Sequence, residues 1–477
     1  MGSRKVTSTV SADFQGKHVT VAGLGVSGIP AAKALHARGA LVTVVNDGDD
    51  ARAREQAAEL EALGVTVRLG DGATLPEGTE LIVTAPGWKP DKPLFTAARE
   101  AGVEVWGDVE LAWRLRGPDA APWLAITGTN GKTTTTQMLA SILKAAGLRT
   151  AAVGNIGVSL LDAVLGEEQY DVLAVELSSY QLHWAPSLRA HSAAVLNLAP
   201  DHLDWHGSME AYARDKGRVY EGNRVACVYN VADKATEDLV READVEEGCR
   251  AIGFTLGPPG PSQLGVVDGI LVDRAFVENR QKNAQELAEV SDVNPPAPHN
   301  IANALAAAAL ARAFGVPAKA VRDGLRAFTP DAHRIAHVAD VDGVAYVDDS
   351  KATNTHAAEA SLAAYESIVW IAGGLAKGAS FDELVAKSAK RLRGVVLIGA
   401  DRALIREALA RHAPEVPVVD LDRTDTGAML QAVTEAKRLA RPGDTVLLAP
   451  ACASMDMFTN YNKRGDAFAE AVRELGS

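Results

Sequence analysis

The sequence is poor in cysteine, in apolar runs of membrane-spanning length and in net positive charge. Its three cysteines, Cys227, Cys249 and Cys452, are scattered and odd in number, which argues against a disulfide framework and a zinc-ligand spacing. No apolar run reaches transmembrane length, and the polar stretch 1–14 lacks the apolar core of a signal peptide. The formal net charge of −13 argues against a nucleic acid or an anionic membrane as partner. We therefore expect a cytoplasmic protein.

Length and strand pattern together predict three α/β domains. A chain of 477 residues is too long for a single hydrophobic core. Three successive stretches alternate short apolar strands with helical patterns, which is typical of parallel α/β units. We place the domain limits at 1–111, 112–330 and 331–477. The first and third are expected to be Rossmann-like, and the motif described next predicts a P-loop-type ATPase in the second.

A glycine-rich turn follows the apolar strand 123–126 and precedes a helical pattern. Backbone N–H groups in such a turn, together with the helix N-terminus, bind phosphate oxygens; the lysine neutralises charge and the following hydroxyl can hold Mg²⁺. The strict Walker pattern has glycine where this chain has Ile126, so the loop is a variant. It predicts a loop that binds the phosphates of a nucleoside triphosphate, formed by Gly128, Thr129, Asn130, Gly131, Lys132, Thr133 and Thr134.

A second glycine-rich turn, 23–28, lies between the expected strands 18–22 and 41–45. Asp47 follows about 20 residues later, as the dinucleotide-binding fingerprint requires. The pattern alone is also typical of a turn that only packs a helix closely on a strand. The pattern leaves open whether the ligand is a nicotinamide dinucleotide or another diphosphate-bearing molecule.

Polar residues follow two further apolar strands, 171–175 and 193–198. Ligands of open α/β sheets bind at the carboxyl ends of the strands, so Glu176 and His202 should converge on the phosphate loop. The position of Glu176 favours a metal ligand, whereas His202 is equally consistent with a surface loop. Lys216 lies in a helical segment, and its neighbours in the sequence predict an ordinary solvated lysine.

Four segments from residue 299 onward carry clustered polar groups. Asn303 opens an expected alanine-rich helix, 303–314, where it could cap the helix or contact a nucleobase. A hairpin with Asp342 and Gly343 at its turn leads to the cluster 349–354. Two further segments, 373–378 and 451–454, also follow apolar strands.

Taken together, these motifs resemble the Mur ligases, the ATP-dependent amide ligases of peptidoglycan precursor synthesis. The resemblance spans essentially the whole chain, and in this family the missing first Walker glycine is normal. Its most specific parts are 127–134, 154–157, 176–179, 201–204, 299–303, 333–334 and 349–354. It implies the ligation of D-glutamate to UDP-N-acetylmuramoyl-L-alanine through an acyl phosphate, by a monomer. The alternative is a family member with a different amino-acid acceptor.

The resemblance also implies roles for individual residues. The UDP end of the substrate would contact Gly23, Leu24, Gly25, Val26, Ser27, Gly28, Asp47, Pro86, Gly87 and Asn155. ATP would contact the phosphate loop together with Asn303, Arg334 and Asp349. D-glutamate would contact Lys351, Thr353, Lys377, Ser454 and Tyr461. Thr133 and Glu176 would hold one Mg²⁺ and His202 a second, with Lys216 carbamylated as a further ligand. Lys132, Glu176, His202 and Lys216 would be the catalytic residues, with His202 the candidate base for the amine.

Two other classes of protein share single motifs with this chain. A P-loop switch or motor would hydrolyse nucleotide without an amino-acid acceptor. A dinucleotide-dependent oxidoreductase would bind nicotinamide cofactor at the turn 23–28.

Overall fold

The computed structural model describes residues 13–330, 332–423 and 425–475. The described residues form two compact units, one of residues up to 293 with 300–328, the other of 294–299 with 329 onward. The expected domain limits at 1, 331 and 477, and nearly all of the polar stretch 1–14, lie outside the described residues. Within the described ranges, no helix combines the length and apolarity that crossing a membrane requires.

The first sheet is parallel throughout and has five strands in the order β3-β2-β1-β4-β5. This is a doubly wound arrangement, in which the strand order reverses between β1 and β4 and leaves a crevice at the carboxyl ends. The Rossmann-like expectation is therefore confirmed. The strands are β1 (His18–Ala22), β2 (Leu41–Asn46), β3 (Thr66–Leu69), β4 (Leu81–Thr84) and β5 (Glu104–Gly107), and the helices are α1 (Gly28–His36), α2 (Ala51–Glu61), α3 (Pro93–Glu100) and α4 (Asp108–Leu115).

The second sheet has nine strands in the order β14-β13-β12-β11-β10-β9-β6-β8-β7, with β13 antiparallel to both its neighbours and the others parallel. Its strands are β6 (Trp123–Thr127), β7 (Ala152–Gly154), β8 (Leu173–Glu176), β9 (Ser192–Val195), β10 (Ala226–Asn230), β11 (Arg250–Phe254), β12 (Gln263–Val267), β13 (Ile270–Asp273) and β14 (Gln285–Glu289). Its helices are α5 (Lys132–Ala145), α6 (Leu160–Leu165), α7 (Ser179–His183), α8 (Leu203–His206), α9 (Met209–Gly217), α10 (Lys234–Glu242), α11 (Pro298–Ala313) and α12 (Ala318–Ala327).

The core of the second sheet explains why its strands read as continuous apolar runs. Every residue of β6 is buried, as expected for a parallel strand covered on both faces. Small side chains let the covering helices approach closely. A Cβ on Gly324 of α12 would lie 2.4 Å from the Cα of Ile142 in α5, so only glycine permits this crossing.

Two sequence-based boundaries in this region were wrong. The alanine-rich helix α11 begins at Pro298, five residues before its expected start, because proline is favoured in the first turn, where no N–H is required. Asn303 is therefore an interior helix residue and not its N-cap. The strand expected over 193–198 ends at Val195, because Asn197 turns away to hold the phosphate loop.

The third sheet has six strands in the order β15-β16-β20-β17-β18-β19, parallel except for β15. The hairpin expected at Asp342 and Gly343 is confirmed: both residues have positive φ, 54° and 77°. The strands are β15 (Ala336–Val341), β16 (Val344–Asp348), β17 (Ile368–Gly373), β18 (Leu392–Ile398), β19 (Val418–Asp420) and β20 (Thr445–Leu448), and the helices are α13 (Thr355–Ala363), α14 (Asp382–Ser388), α15 (Arg402–His412), α16 (Ala428–Leu439) and α17 (Tyr461–Leu475).

Candidate functional site

The backbone of the phosphate loop is fixed by Asn197, which lies two residues beyond β9. Its side chain accepts a hydrogen bond from the backbone N–H of Asn130 at 2.8 Å and donates to the carbonyl of Asn130 at 3.1 Å. Thr129 is fixed by its own N–H, which donates to the Asn197 carbonyl, and by a 2.9 Å contact between its hydroxyl and that of Tyr212. The loop is thus shaped by neighbours from β9 and α9.

Two lysines converge on one carbonyl of this loop. Lys132 Nζ donates to the oxygen of Gly128 at 2.9 Å, and Lys216 Nζ donates to the same oxygen at 2.8 Å. Lys132 also reaches the carbonyl of Thr129 at 2.8 Å. Positive charge is therefore concentrated at the start of α5, beside the N-terminal end of the helix dipole, which suits a polyphosphate.

Gly131 and Asn303 are in close contact at the N-terminus of α5. Gly131 has φ of 82°, in the left-handed region. A Cβ at this position would lie 2.4 Å from Asn303 Oδ1. The interior position of Asn303 in α11 thus aims its amide at the phosphate loop.

Glu176 is the last residue of β8 and is only 2% exposed. Its Oε1 accepts a hydrogen bond from the side chain of Asn155 at 2.9 Å. Its Oε2 is buried and has no hydrogen-bond partner among the residues that the structure describes. A buried carboxylate oxygen left without a partner is costly, and a cation is one way to satisfy it. At 2% exposure, Glu176 is not a solvated carboxylate.

Lys216 is buried, not solvated as its sequence surroundings suggested: it is 2% exposed. Its ammonium lies 4.7 Å from the ring centroid of Tyr212. Burial, followed by the nearby charge of Lys132, lowers the pKa of Lys216 well below its ordinary value, although Asp201 and Glu176 oppose the shift. A lysine held in this way reacts readily as a neutral amine.

His202 occupies the loop between β9 and α8, next to Asp201. Its backbone has φ of 55°, a left-handed conformation that is uncommon for a residue with a side chain. Its Nε2 lies 3.4 Å from Asp201 Oδ2, and its ring lies 4.9 Å from that of Tyr180. Burial lowers the pKa of His202, and the charges of Lys132 and Lys216 lower it further, whereas Asp201 raises it. His202 therefore belongs to the same charged cluster as the two lysines.

The turn 23–28 at the end of β1 is a tight glycine turn. A Cβ on Gly28 would lie 1.9 Å from the carbonyl oxygen of Gly23, so the turn admits only glycine there. Asp47, at the end of β2, pairs with Lys92 at 2.5 Å. Val26 at the tip of the turn is 84% exposed, an unusual position for a large apolar residue. Asn155, expected with this group, donates a hydrogen bond to Glu176.

The C-terminal unit gathers the other expected nucleotide ligands at the end of β16. Asp349 is buried, and burial raises its pKa to about 6, against the hydrogen bond from Ser361 and the charge of Arg334. His333 Nδ1 lies 2.6 Å from Asp348 Oδ2, and this hydrogen bond raises the pKa of His333. A cavity of about 410 Å³ is lined by Ala332, His333, Arg334, Tyr461 and Asn462.

Most residues expected to receive the amino acid follow the carboxyl ends of β16, β17 and β20, whereas Tyr461 opens α17. Lys351 Nζ lies 3.9 Å from the ring centroid of Tyr461. Residue Lys377 has φ of 50° in the loop after β17. That loop pairs with the loop after β20 through Leu375 and Ala453, next to the buried Ser454. Thr353 lies in the turn after β16, where its N–H bonds to the Lys351 carbonyl.

Two loop-shaping residues, Asn197 and Tyr212, were missed from the sequence. Asn197 follows a buried strand, so the strand-end rule could have found it if the strand had been ended at Val195. Tyr212 has no such signal, because a buried tyrosine in a helix is ordinary core. Across the described residues, no group of three or more histidine, cysteine, aspartate or glutamate side chains forms a ready-made metal site.

Comparison with known protein families gives three matches in series along the chain. Residues 17–107 match the Mur ligase MurD-like N-terminal domain, and residues 126–311 match the Mur ligase middle domain. Residues 333–452 match the Mur ligase glutamate ligase domain. The three matches coincide with the three sheets.

Curated relatives extend these matches to the whole chain. A protein of Streptomyces coelicolor named UDP-N-acetylmuramoylalanine–D-glutamate ligase is 90% identical, covering 98% of this chain and 99% of its own. Proteins of the same name from Thermobifida fusca and Mycolicibacterium smegmatis are 60% and 47% identical over 97% and 98% of this chain, and 99% of each relative is covered.

Solved structures share the fold at lower sequence identity. The UDP-N-acetylmuramate-alanine ligase MurC of Thermotoga maritima superposes with a TM-score of 0.56 at 18% identity, covering 96% of this chain and 99% of that one. MurF of Acinetobacter baumannii gives a TM-score of 0.58 at 17% identity, covering 90% of both chains.

Proposed function

This chain belongs to the Mur ligase family, and we infer that it joins D-glutamate to UDP-N-acetylmuramoyl-L-alanine with ATP, in peptidoglycan precursor synthesis. The observation that carries this conclusion is the identity of 90% and 60%, over nearly the full length, to relatives named for that reaction. The alternatives of a nucleotide switch, a motor and an oxidoreductase are excluded, because the residues of all three sheets match ligase domains.

The chemistry requires activation of a poor acyl donor. The substrate carboxylate attacks the γ-phosphate of ATP, giving an acyl phosphate and ADP. The neutral amine of D-glutamate then attacks the acyl carbonyl, and phosphate leaves. Lys132 and the loop amides bind the phosphate oxygens and offset the charge that spreads over the transferring group.

Mur ligases use ATP and Mg²⁺, and the residues around the phosphate loop fit such an ion. Magnesium prefers oxygen ligands, and the unpaired Oε2 of Glu176 and the hydroxyl of the buried Thr133 supply them. We propose these two residues for one ion, and His202 with Lys216 for a second. Bound ions would neutralise charge on the phosphates.

Lys216 fits a cation site only after modification. As an ammonium it would repel a metal ion, but its lowered pKa and its burial favour the neutral amine. The neutral amine can add carbon dioxide and release one proton to give a carbamate. A carbamate provides two oxygen ligands and a negative charge. We therefore propose that Lys216 is carbamylated in the active enzyme, and that His202 is either a metal ligand or the base for the amine.

We assign the substrates to the strand ends of the three domains, with limits at 1–111, 112–330 and 331–477. The turn 23–28 with Asp47, Pro86, Gly87 and Asn155 would receive the UDP-sugar. Support for Asn303 as an ATP contact comes from its position against Gly131. We propose Arg334 and Asp349 as further ATP contacts, and Lys351, Thr353, Lys377, Ser454 and Tyr461 as D-glutamate contacts. We further propose a cytoplasmic monomer.

Phosphate release measured across amino-acid acceptors tests the function. We expect release that requires both UDP-N-acetylmuramoyl-L-alanine and D-glutamate. Equal rates with L-alanine or a diamino acid would instead assign the chain to another member of the family. Release without any acceptor would contradict ligation altogether.

A further inference from the structure

A chain of buried hydrogen bonds links the three segments that carry Glu176, His202 and Lys216. The hydroxyl of Ser179 lies 2.9 Å from His206 Nε2, and His206 Nδ1 lies 3.0 Å from Asp215 Oδ2. We call these three residues the Ser179–His206–Asp215 network. Ser179 follows Glu176 by three residues, His206 follows His202 by four, and Asp215 directly precedes Lys216. Each member therefore anchors one of the proposed metal-binding segments.

The network lies in the interior and is anchored at one end. The side chain of His206 is fully buried, and Ser179 and Asp215 are 2% and 5% exposed. Asp215 Oδ2 also contacts His183 Nδ1 at 2.8 Å, and its Oδ1 lies 3.3 Å from Arg218 Nε. Hydrogen bonds in such a low-dielectric setting are strong, and each group that loses a partner is costly. The spacing of the three segments is therefore well determined.

The segment that carries His202 depends on this anchoring. Helix α8 has only four residues, too few to be stable by itself. His202, immediately before it, has the left-handed backbone noted above. His206 ends α8 and is enclosed by the rings of Tyr180, Trp205 and Tyr212, with centroid distances of 5.6, 4.5 and 5.3 Å. Its two hydrogen bonds then tie this short helix to both neighbouring segments.

The order of groups matches that of a hydrolase triad, but the location does not. A nucleophilic serine must meet its substrate at an open site. Ser179 is buried in the first turn of α7, and aromatic rings surround its histidine. A catalytic serine is therefore excluded. The remaining role for the network is a structural link to the neighbouring site.

We propose that Ser179, His206 and Asp215 are positioning residues that hold Glu176, His202 and Lys216 at the spacing needed for Mg²⁺-dependent binding of ATP. This inference rests on the proposed function, which assigns those three residues to the metal sites. Metal and phosphate sites tolerate errors of only about 0.5 Å in the supporting residues. Loss of one link should therefore weaken the response to Mg²⁺ more than it weakens the fold.

A double-mutant cycle with Ser179→Ala and Asp215→Asn tests the proposal. Calorimetry would measure ATP binding as a function of Mg²⁺ concentration, without substrate or acceptor. We expect each variant to raise the half-saturating Mg²⁺ concentration by about 10-fold, as loss of a supporting partner does at metal sites. The double variant should be no worse than the poorer single variant, because both changes break the same network. The KM for D-glutamate should not change.

Asp273→Asn is the matched control, because Asp273 is also a buried carboxylate with a cationic partner, Arg312 Nε at 2.9 Å. It lies at the end of β13, five strands away from β6 in the sheet order. This control should lower the melting temperature but leave the Mg²⁺ response unchanged.

Unchanged Mg²⁺ half-saturation in both single variants, or fully additive effects in the double variant, would overturn the proposal. If Asp215→Asn does not fold, Ser179→Ala removes only one hydroxyl and decides the question by itself. The measurement needs no acceptor, so a failed D-glutamate assignment would leave this result interpretable.

Discussion

Lys132 and Lys216 donate to the same acceptor, the carbonyl oxygen of Gly128, at 2.9 and 2.8 Å. Two ammonium groups on one oxygen repel each other. Because Lys216 is buried, it is the less stable of the two as a cation. Conversion of Lys216 to a carbamate would reverse its charge and turn this repulsion into attraction. The carbonyl of Gly128 would then remain for Lys132 alone.

Lys216→Ala should abolish most ligase activity, by about 10³-fold, since it removes a group assigned to the electrostatic stabilisation of phosphoryl transfer. Acetate or another short carboxylate should restore part of the rate by occupying the vacated space, whereas bicarbonate alone should not. Phosphate release is the measurement. Lys234→Ala is the control, because Lys234 is 81% exposed and its one ion-pair partner within the described part of the chain is Asp238. Full activity of Lys216→Ala without additives would contradict the carbamate role.

Glu176→Gln should raise the Mg²⁺ concentration needed for half-maximal activity and lower the maximal rate by about 10²-fold or more. The amide keeps the shape of the side chain but removes the charge that an unpaired buried oxygen offers a cation. Titration of activity with Mg²⁺ measures the effect.

Glu110→Gln provides the comparison for Glu176, because Glu110 is equally buried but fully partnered. It pairs with Arg114 at 2.6 Å and accepts hydrogen bonds from the N–H and hydroxyl of Ser187. We expect Glu110→Gln to lower thermal stability with the Mg²⁺ requirement unchanged. If the two variants respond alike to Mg²⁺, Glu176 acts through the fold and not through a metal.

The strands of this fold could be predicted because parallel strands covered on both faces are apolar throughout. Strand β1 was predicted at its observed residues, and the hairpin at Asp342 and Gly343 was found from its Asp-Gly pair. The boundaries that failed depend on tertiary contacts. Residues 196–198 are apolar at two of three positions, a pattern that predicts strand. In the structure the side chain of Asn197 instead accepts a hydrogen bond from the N–H of Asn130.

The site could be predicted in part. The phosphate loop and Glu176 follow from the rule that ligands bind at strand ends. Lys216 could not be found from its surroundings, because burial of a helical lysine depends on what packs over it. The Ser179–His206–Asp215 network was missed for the same reason: its members are 27 and 9 residues apart in sequence, with no common period.

Gly131→Ala should weaken ATP binding by at least about 10-fold and destabilise the protein by about 2–4 kcal/mol. The left-handed backbone costs an alanine about 1–2 kcal/mol, and the clash with Asn303 Oδ1 adds overpacking of similar size. Calorimetric titration with ATP and thermal unfolding are the measurements.

Gly147→Ala separates the backbone cost at Gly131 from the clash. Gly147 has φ of 80°, nearly the same as the 82° of Gly131, but a Cβ there would meet no atom of the described chain within 4 Å. It should therefore cost only about 1–2 kcal/mol and leave ATP affinity unchanged. Equal loss of ATP affinity in both variants would show that the Asn303 contact is unimportant.

The pair of His333 and Asp348 should make the stability of the C-terminal unit depend on pH. The hydrogen bond to Asp348 raises the pKa of His333 above its unfolded value of about 6.5, against the effect of burial, and Asp466 acts in the same direction. The stabilisation is thus fully present below about pH 6.5 and is lost as the pH rises through the folded pKa. His333→Gln should lower the melting temperature more at pH 5.5 than at pH 9, measured by thermal unfolding against the parent protein.

His337→Gln is the control, because His337 is 55% exposed beside Asp340. It should change the melting temperature little at either pH. A loss for His333→Gln that is equal at both pH values, or greater at pH 9, would mean that the histidine stabilises this unit by packing and not by its charge.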